Sequence, residues 1–138
     1  MAGPLAWPAL RLARAIRARE LSSEEATRAF LERIGLENEE LSALVQVWPE
    51  RALRTSRAFD KALAKNPKLP GVFAGVPTAI KDTDPVRGAW NRMGSQLFRY
   101  LWTPFDGKVA SLVRKGGFNL VGKTATPELA LTPVTEPA

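Results

Sequence analysis

Gly75 to Asp82, "GVPTAIKD", is a short apolar run fenced by turn residues, a combination that few structures accommodate. Gly75 and Pro77 are punctuation that leads the chain into extended backbone. Thr78, Ala79 and Ile80 are too few for a helix, and apolar enough for a strand buried on both faces of a parallel sheet. Lys81 falls where such a strand emerges, at the edge where ligands of parallel sheets gather. By spacing alone that ammonium is either a solvated exit residue, the commoner case for lysine, or a working group.

The flanking segments place this strand in an α/β context. Leu10, Ala13 and Ile16 repeat at helical spacing over about 9–19. Ser22 followed by Glu25 reads as a capping box opening a second helix, with Ala26, Ala29, Phe30 and Ile34 along it and Gly35 as its stop. "LSALVQVW", Leu41 to Trp48, alternates as a strand does. Pro49 then starts a helix to about Lys65, with Ala52, Leu53, Ala58, Phe59, Ala62 and Leu63 available to the core. "NPKLPG" is a loop. Past the central strand comes a long irregular stretch with Pro85, Gly88, Gly94 and Pro104, which Trp90, Phe98, Tyr100, Trp102 and Phe105 are expected to pin to the body. Asp106 is placed to cap a helix ending at Gly116-Gly117. "FNLVGKT" is a further buried strand, and Pro127 can start a last short helix. Alternating helices and short apolar strands imply a sheet flanked by helices. Nothing divides the chain, so it reads as one unit: a helical layer over about 9–36 and an α/β part over about 41–138.

Absent residue types narrow the chemistry. With no cysteine and no histidine among 138 residues, disulfides, thiolate chemistry, His/Cys metal sites and a Ser-His-Asp mechanism within this chain are excluded. The lack of cysteine fits a reducing cytoplasm. No apolar run approaches the ~20 residues of a membrane span, and the arginine-rich N-terminus lacks an apolar signal core. The net charge of +6 divides unevenly: eight acids against Arg28 and Arg33 between Glu20 and Glu50, eight basic residues against three acids between Lys81 and Lys123. No basic face is interleaved with stacking aromatics, so no nucleic-acid role is expected. The cationic second half instead favours carboxylate-bearing substrates.

Two stretches can carry chemistry. Lys81 has Ala79 as its same-face neighbour on a strand, and Asp82 points the other way. A lysine activates a serine only when neutral, which requires desolvation or a neighbouring cation to lower its pKa from ~10.4. That role needs an amine facing a cleft and not bulk water. Gly117 to Thr124, "GFNLVGKT", matches the phosphate-loop pattern, but Phe118 to Val121 reads as the strand itself, which leaves no flexible loop of outward amides.

"GVPTAIKD", "DGKVASLVRKGGFNLVGKT" and "TPELALTPVTEP" together resemble the start of the amidase signature family of serine hydrolases. The last segment is most similar to members acting on nylon-type oligoamides, the 6-aminohexanoate cyclic-dimer hydrolases. The resemblance runs from about Leu10 to the final residue and implies the N-terminal portion of an α/β/α sandwich with an incomplete mixed sheet. It further implies a Ser–cis-Ser–Lys triad in which Lys81 is the lysine, a substrate-lining turn at Ala130, Leu131 and Thr132, and hydrolysis of a small-molecule carboxamide without cofactor or metal. None of the six serines (Ser22, Ser23, Ser42, Ser56, Ser95 and Ser111) lies in a context resembling the family's serine motifs, so the chain alone is expected to be inactive. The alternative is a non-catalytic remnant or interaction subunit. Either way an incomplete sheet implies self-association or pairing with a complementary chain. "KDTDPVRGAW" departs from the Asp-Asn-Ile style common after the family lysine, which bears on the pocket rim.

Overall fold

A computed structural model describes residues 3–68 and 71–135, so Leu69 and Pro70 of the expected "NPKLPG" loop lie outside the described residues. Helices α1 (Ala9–Ala18), α2 (Ser23–Leu41) and α3 (Pro49–Lys65) precede most of the sheet, with β1 (Leu44–Val47) between the last two. Then follow β2 (Pro77–Lys81), a hairpin of β3 (Ala89–Trp90) and β4 (Trp102–Thr103), α4 (Lys108–Lys115) and β5 (Asn119–Thr124). A last 3-10 turn spans Glu128–Ala130, entered through Pro127.

The main sheet has the order β1-β5-β2, with β2 parallel and β1 antiparallel to the central β5. One side is covered by α2 and α3, where the Asn119 amide donates to Thr27 Oγ1 and to the Ala52 carbonyl, each at 3.0 Å. Leu120, the next residue, points the other way and packs with Ile80, Val86, Ala89 and Ala110 of α4. A second cluster joins Leu12, Ala13, Ile16, Ala26, Leu63 and Val76 across the first three helices. Alternation along β5 is broken by a bulge: Thr78 pairs with Leu120 and Ala79 with Gly122, so Val121 is the extra residue. The bulge therefore puts Leu120 and Lys123 on the same face.

The local signals explain most boundaries. Ser22 Oγ accepts from the Glu25 amide at 3.0 Å while the Glu25 carboxylate accepts from the Ser22 amide at 2.8 Å, a closed capping box. The Ser22 backbone and hydroxyl donors hold the Glu25 carboxyl below its usual range. Gly35 does not stop α2, which runs six residues further to Leu41. A helical glycine costs only about 1 kcal/mol, and the true terminator is Ser42 in the left-handed region (φ 46°). Asn38 then ties the helix end to β1, its side chain bonding the Leu44 amide at 2.7 Å and carbonyl at 3.0 Å.

Other expectations are corrected. Ala58 is exposed and Ser56 is the buried residue on that turn of α3. Asp106 does not cap α4, whose N-cap is Gly107. Its carboxylate instead accepts from the Arg87 amide and Arg114 Nε, both at 2.9 Å. Burial pulls that carboxyl upward, but the Arg87 amide and Arg114 outweigh it and hold it below its usual range. The stretch after β2 is organised by the β3-β4 hairpin, with Thr103 Oγ1 donating to the Val86 and Ala89 carbonyls. Four of its five aromatics do not pin it down: Trp90, Tyr100, Trp102 and Phe105 are exposed, and only Phe98 is partly buried. β2 is fully buried on neither face: Pro77 and Ile80, which point to opposite faces, are buried, while Thr78 and Ala79 stay partly accessible where the strand forms an edge of the sheet.

Candidate functional site

The parallel strands β2 and β5 end side by side. Lys81 lies in register with Thr124, and Ile80 one step earlier with Lys123. The two lysines thus occupy neighbouring steps on opposite faces. The Lys81 side chain is exposed, and its amine has no hydrogen bond or ion pair among the described residues. Neither the cleft nor the desolvation expected for it is supplied by the elements around it: β2 is an edge strand with no neighbour beyond it among those residues, and Lys81 does not line the cleft beyond the strand ends.

Lys123 shows the opposite arrangement. It is fully buried, and its Nζ lies 2.9 Å from Asp82 Oδ1, 2.6 Å from Asn91 Oδ1, 3.1 Å from the Trp90 carbonyl and 3.3 Å from that of Asp82. Gln46 extends the network, its Nε2 donating to the Trp90 carbonyl at 2.8 Å. Burial pushes the Lys123 ammonium below the usual lysine range, with Asp82 opposing that shift. Sequence reading anticipated that "GFNLVGKT" is strand and not phosphate loop, and β5 bears this out. It missed the pairing with Asp82, which depends on the bulge at Val121. The one signal for it was that Asp82 must face away from Lys81.

Beyond the strand ends two loops lock together. Gly94 (φ +68°) lies so close to the Thr126 and Pro127 carbonyls that a Cβ there would collide with both. Leu129 donates its amide to the Met93 carbonyl at 2.8 Å, and Ser95 Oγ donates to Glu128 Oε1 at 2.6 Å. Between these loops opens a cleft of about 500 Å3, lined among others by Asp82, Arg92, Ser95, Arg99, Thr126 and Glu128. Ala130, Leu131 and Thr132 follow as an exposed turn, with Ala130 in the left-handed region (φ 58°) and Thr132 Oγ1 bonded to the Val134 carbonyl at 2.9 Å. They are not part of the cleft wall, which resumes at Thr135.

Helices on both sides of a mixed sheet, with a lysine and an open cleft at the carboxyl ends of its parallel strands, define an α/β protein with the site geometry common to that class. The chain belongs to the Amidase family, whose model matches residues 25–138. It is 39% identical over 128 residues to a glutamyl-tRNA(Gln) amidotransferase subunit from Acidothermus cellulolyticus, covering 93% of this chain and 25% of that protein. The protein of the same name from Geobacter sulfurreducens is 37% identical over 113 residues, 82% of this chain and 23% of that one. Among solved structures, 6-aminohexanoate cyclic dimer hydrolase superposes with a TM-score of 0.80 at 29% identity, over 99% of this chain and 27% of that one. Fatty acid amide hydrolase superposes with a TM-score of 0.91 over 98% of this chain and 24% of its own, at 21% identity, a likeness of fold. The chain spans about a quarter of the length of the curated relatives it matches. Among the described residues, no helix is long and apolar enough to cross a membrane.

Proposed function

We propose that this polypeptide supplies the lysine of an amide hydrolase working by a Ser–cis-Ser–Lys mechanism, on a small-molecule carboxamide in the cytoplasm. The observation that carries the reading is the position of Lys81: the last residue of β2, at the carboxyl edge of the parallel pair, in a chain matched to the Amidase family over residues 25–138. In this role the neutral amine takes the proton of one serine, which takes that of the nucleophile. The nucleophile adds to the carboxamide, the amine leaves with the returned proton, and water releases the acid.

For Lys81 to be neutral it must be desolvated, which requires further polypeptide against the open edge of β2 and over the Ala79–Lys81 face. That polypeptide would also carry the two serines, because none of the chain's own serines lies in a context resembling the family's serine motifs and four of the six are already engaged. Ser22 is a cap, Ser23 Oγ donates to the Gly75 carbonyl at 2.7 Å, Ser56 to that of Leu53 at 2.9 Å, and Ser95 to Glu128 at 2.6 Å. Residues 1–138 would then be one N-terminal portion of an amidase domain, with Ala130, Leu131 and Thr132 meeting substrate once covered. The open strand edge supports pairing with a complementary chain, and relatives are themselves named as one subunit of an amidotransferase.

The test is complementation. Hydrolysis of an aryl amide is measured for the 138-residue chain alone, and for the chain mixed with the remaining three quarters of a relative, such as 6-aminohexanoate cyclic dimer hydrolase. The chain alone should be silent, and the mixture should turn over in a manner abolished by Lys81→Ala, since losing one member of such a unit costs nearly the whole of it. Complex formation without turnover would favour the second reading, a non-catalytic interaction subunit.

A further inference from the structure

We propose that the cleft between the Asn91–Arg99 loop and the Thr126–Glu128 turn is a carboxylate-binding site, held by the Arg92 guanidinium and the Thr126 hydroxyl. Two of its lining residues, Arg92 and Thr126, each carry a polar side-chain atom buried without a hydrogen-bond partner among the described residues, Arg92 Nε and Thr126 Oγ1. Thr126 is only 7% exposed. Orphaned donors of this kind are costly unless something meets them, and here both belong to one cleft. Arg92 Nε can only donate, so its natural complement is an acceptor, and the delocalised guanidinium is suited to a carboxylate.

The surrounding charges point the same way. Asp82 is committed to Lys123 at 2.9 Å, a pair that neutralises itself. The Glu128 carboxylate accepts from Ser95 at 2.6 Å and is, among the described residues, the one remaining anion in the wall. Against it stand Arg92 and Arg99, the latter at the rim with its guanidinium 4.7 Å from the Tyr100 ring. One positive charge is left over, which one carboxylate would balance. A cleft of about 500 Å3 admits a six-carbon chain with room for its head group. The binding site stands on this chain's own geometry. Only its use as a substrate subsite, selecting amides that carry a carboxylate, rests on the amide-hydrolase reading.

The experiment titrates the 138-residue chain with hexanoate and, separately, hexanamide at low ionic strength, by calorimetry and by the NMR resonance of Arg92 Nε–H. Hexanoate should saturate, move that resonance, and bind at least ~10-fold more tightly than the amide. Arg92→Gln should weaken hexanoate ~10-fold or more and Thr126→Val ~3-fold, in variants whose amide spectra show the native fold. Arg28→Gln, on the far side of α2, should change nothing. Equal affinity for the two ligands would overturn the proposal. So would hexanoate binding that survives both cleft substitutions, or binding that is lost in Lys81→Ala and retained in Arg92→Gln. If the hydrolase reading fails, the complemented mixture shows no turnover while hexanoate binding persists. If the cleft assignment fails, the complemented enzyme turns over amides while hexanoate and hexanamide bind alike.

Discussion

Lys81 and Lys123 differ by one register step across two parallel strands, and almost everything about their surroundings is opposite. Four oxygens, two from Asp82 just past β2, one from Trp90 of β3 and one from Asn91 just past it, surround the amine of Lys123, and no solvent reaches it. The amine of Lys81 meets no such partner among the described residues. A buried ammonium with this many acceptors is a structural rivet: it fixes the Asp82 carbonyl, hence the end of β2, hence the place from which Lys81 departs. The exposed amine spends nothing on holding the fold together and stays available for chemistry. In this pair the lysine inside a well-known sequence pattern is the structural one, and the lysine after an unremarkable apolar run is the candidate reagent.

Lys123→Met puts the contrast under the greatest strain. The side chain keeps its length and loses its charge, which leaves Asp82 buried at 1% exposure without a counter-ion. Removing one partner of such a pair costs about 3–5 kcal/mol, a large share of the stability of a domain this size. The double change Asp82→Leu with Lys123→Met should recover much of that loss, since an apolar pair of similar volume removes the stranded charge. Urea denaturation of the three proteins checks both statements. A single-variant loss below ~1 kcal/mol would mean that Asp82 is reached by water and that the rivet is weaker than its geometry.

A smaller effect sharpens the picture by asking which force dominates at Lys123. Burial lowers its pKa and Asp82 opposes that, with burial the larger cause. Between the lowered folded-state value and the ordinary unfolded value of ~10.4, the unfolded chain holds a proton that the folded chain has lost. Stability therefore rises with pH through that window. Relative to Lys123→Met, the parent protein should gain stability as pH climbs through the window and level off above ~10.4. A difference that shrinks with rising pH would show that attraction to Asp82 outweighs desolvation.

How much of this was readable beforehand follows from the range of the forces involved. The Ser22–Glu25 box, the Pro49 helix start, the glycine stop after α4 and the strand at "FNLVGKT" are decided within a few residues, and each was legible. Gly35 misled because its helix continues on the strength of Asn38 and Ser42, whose contribution appears only once β1 has folded back. The pairing of Asp82 with Lys123 spans 41 residues and hinges on one extra residue in β5, which no local pattern announces. Arg92 and Thr126 share a cleft because two loops interlock backbone to backbone at Gly94. Large rings usually bury, which is why the sequence alone makes Trp90, Tyr100, Trp102 and Phe105 look like anchors. In these 138 residues they face outward, on surface that further polypeptide of the relatives' length could cover.

The smallest expected effect belongs to Lys81 itself. Removing an exposed side chain that makes no hydrogen bond or ion pair should leave stability within ~0.5 kcal/mol, so Lys81→Ala and the parent should unfold at the same urea concentration. The same variant sharpens the comparison from the chemical side. Under brief treatment with an amine-acylating reagent, peptide mapping should find Lys81 modified early and Lys123 only after unfolding, because acylation needs both access and a free electron pair. If a complementary chain closes over the edge of β2 as proposed, adding it should shield Lys81 from the bulky reagent while leaving Lys123 as it was. A Lys81 that reacts no faster than Lys123 in the isolated chain would remove the contrast on which its assignment as the working amine depends.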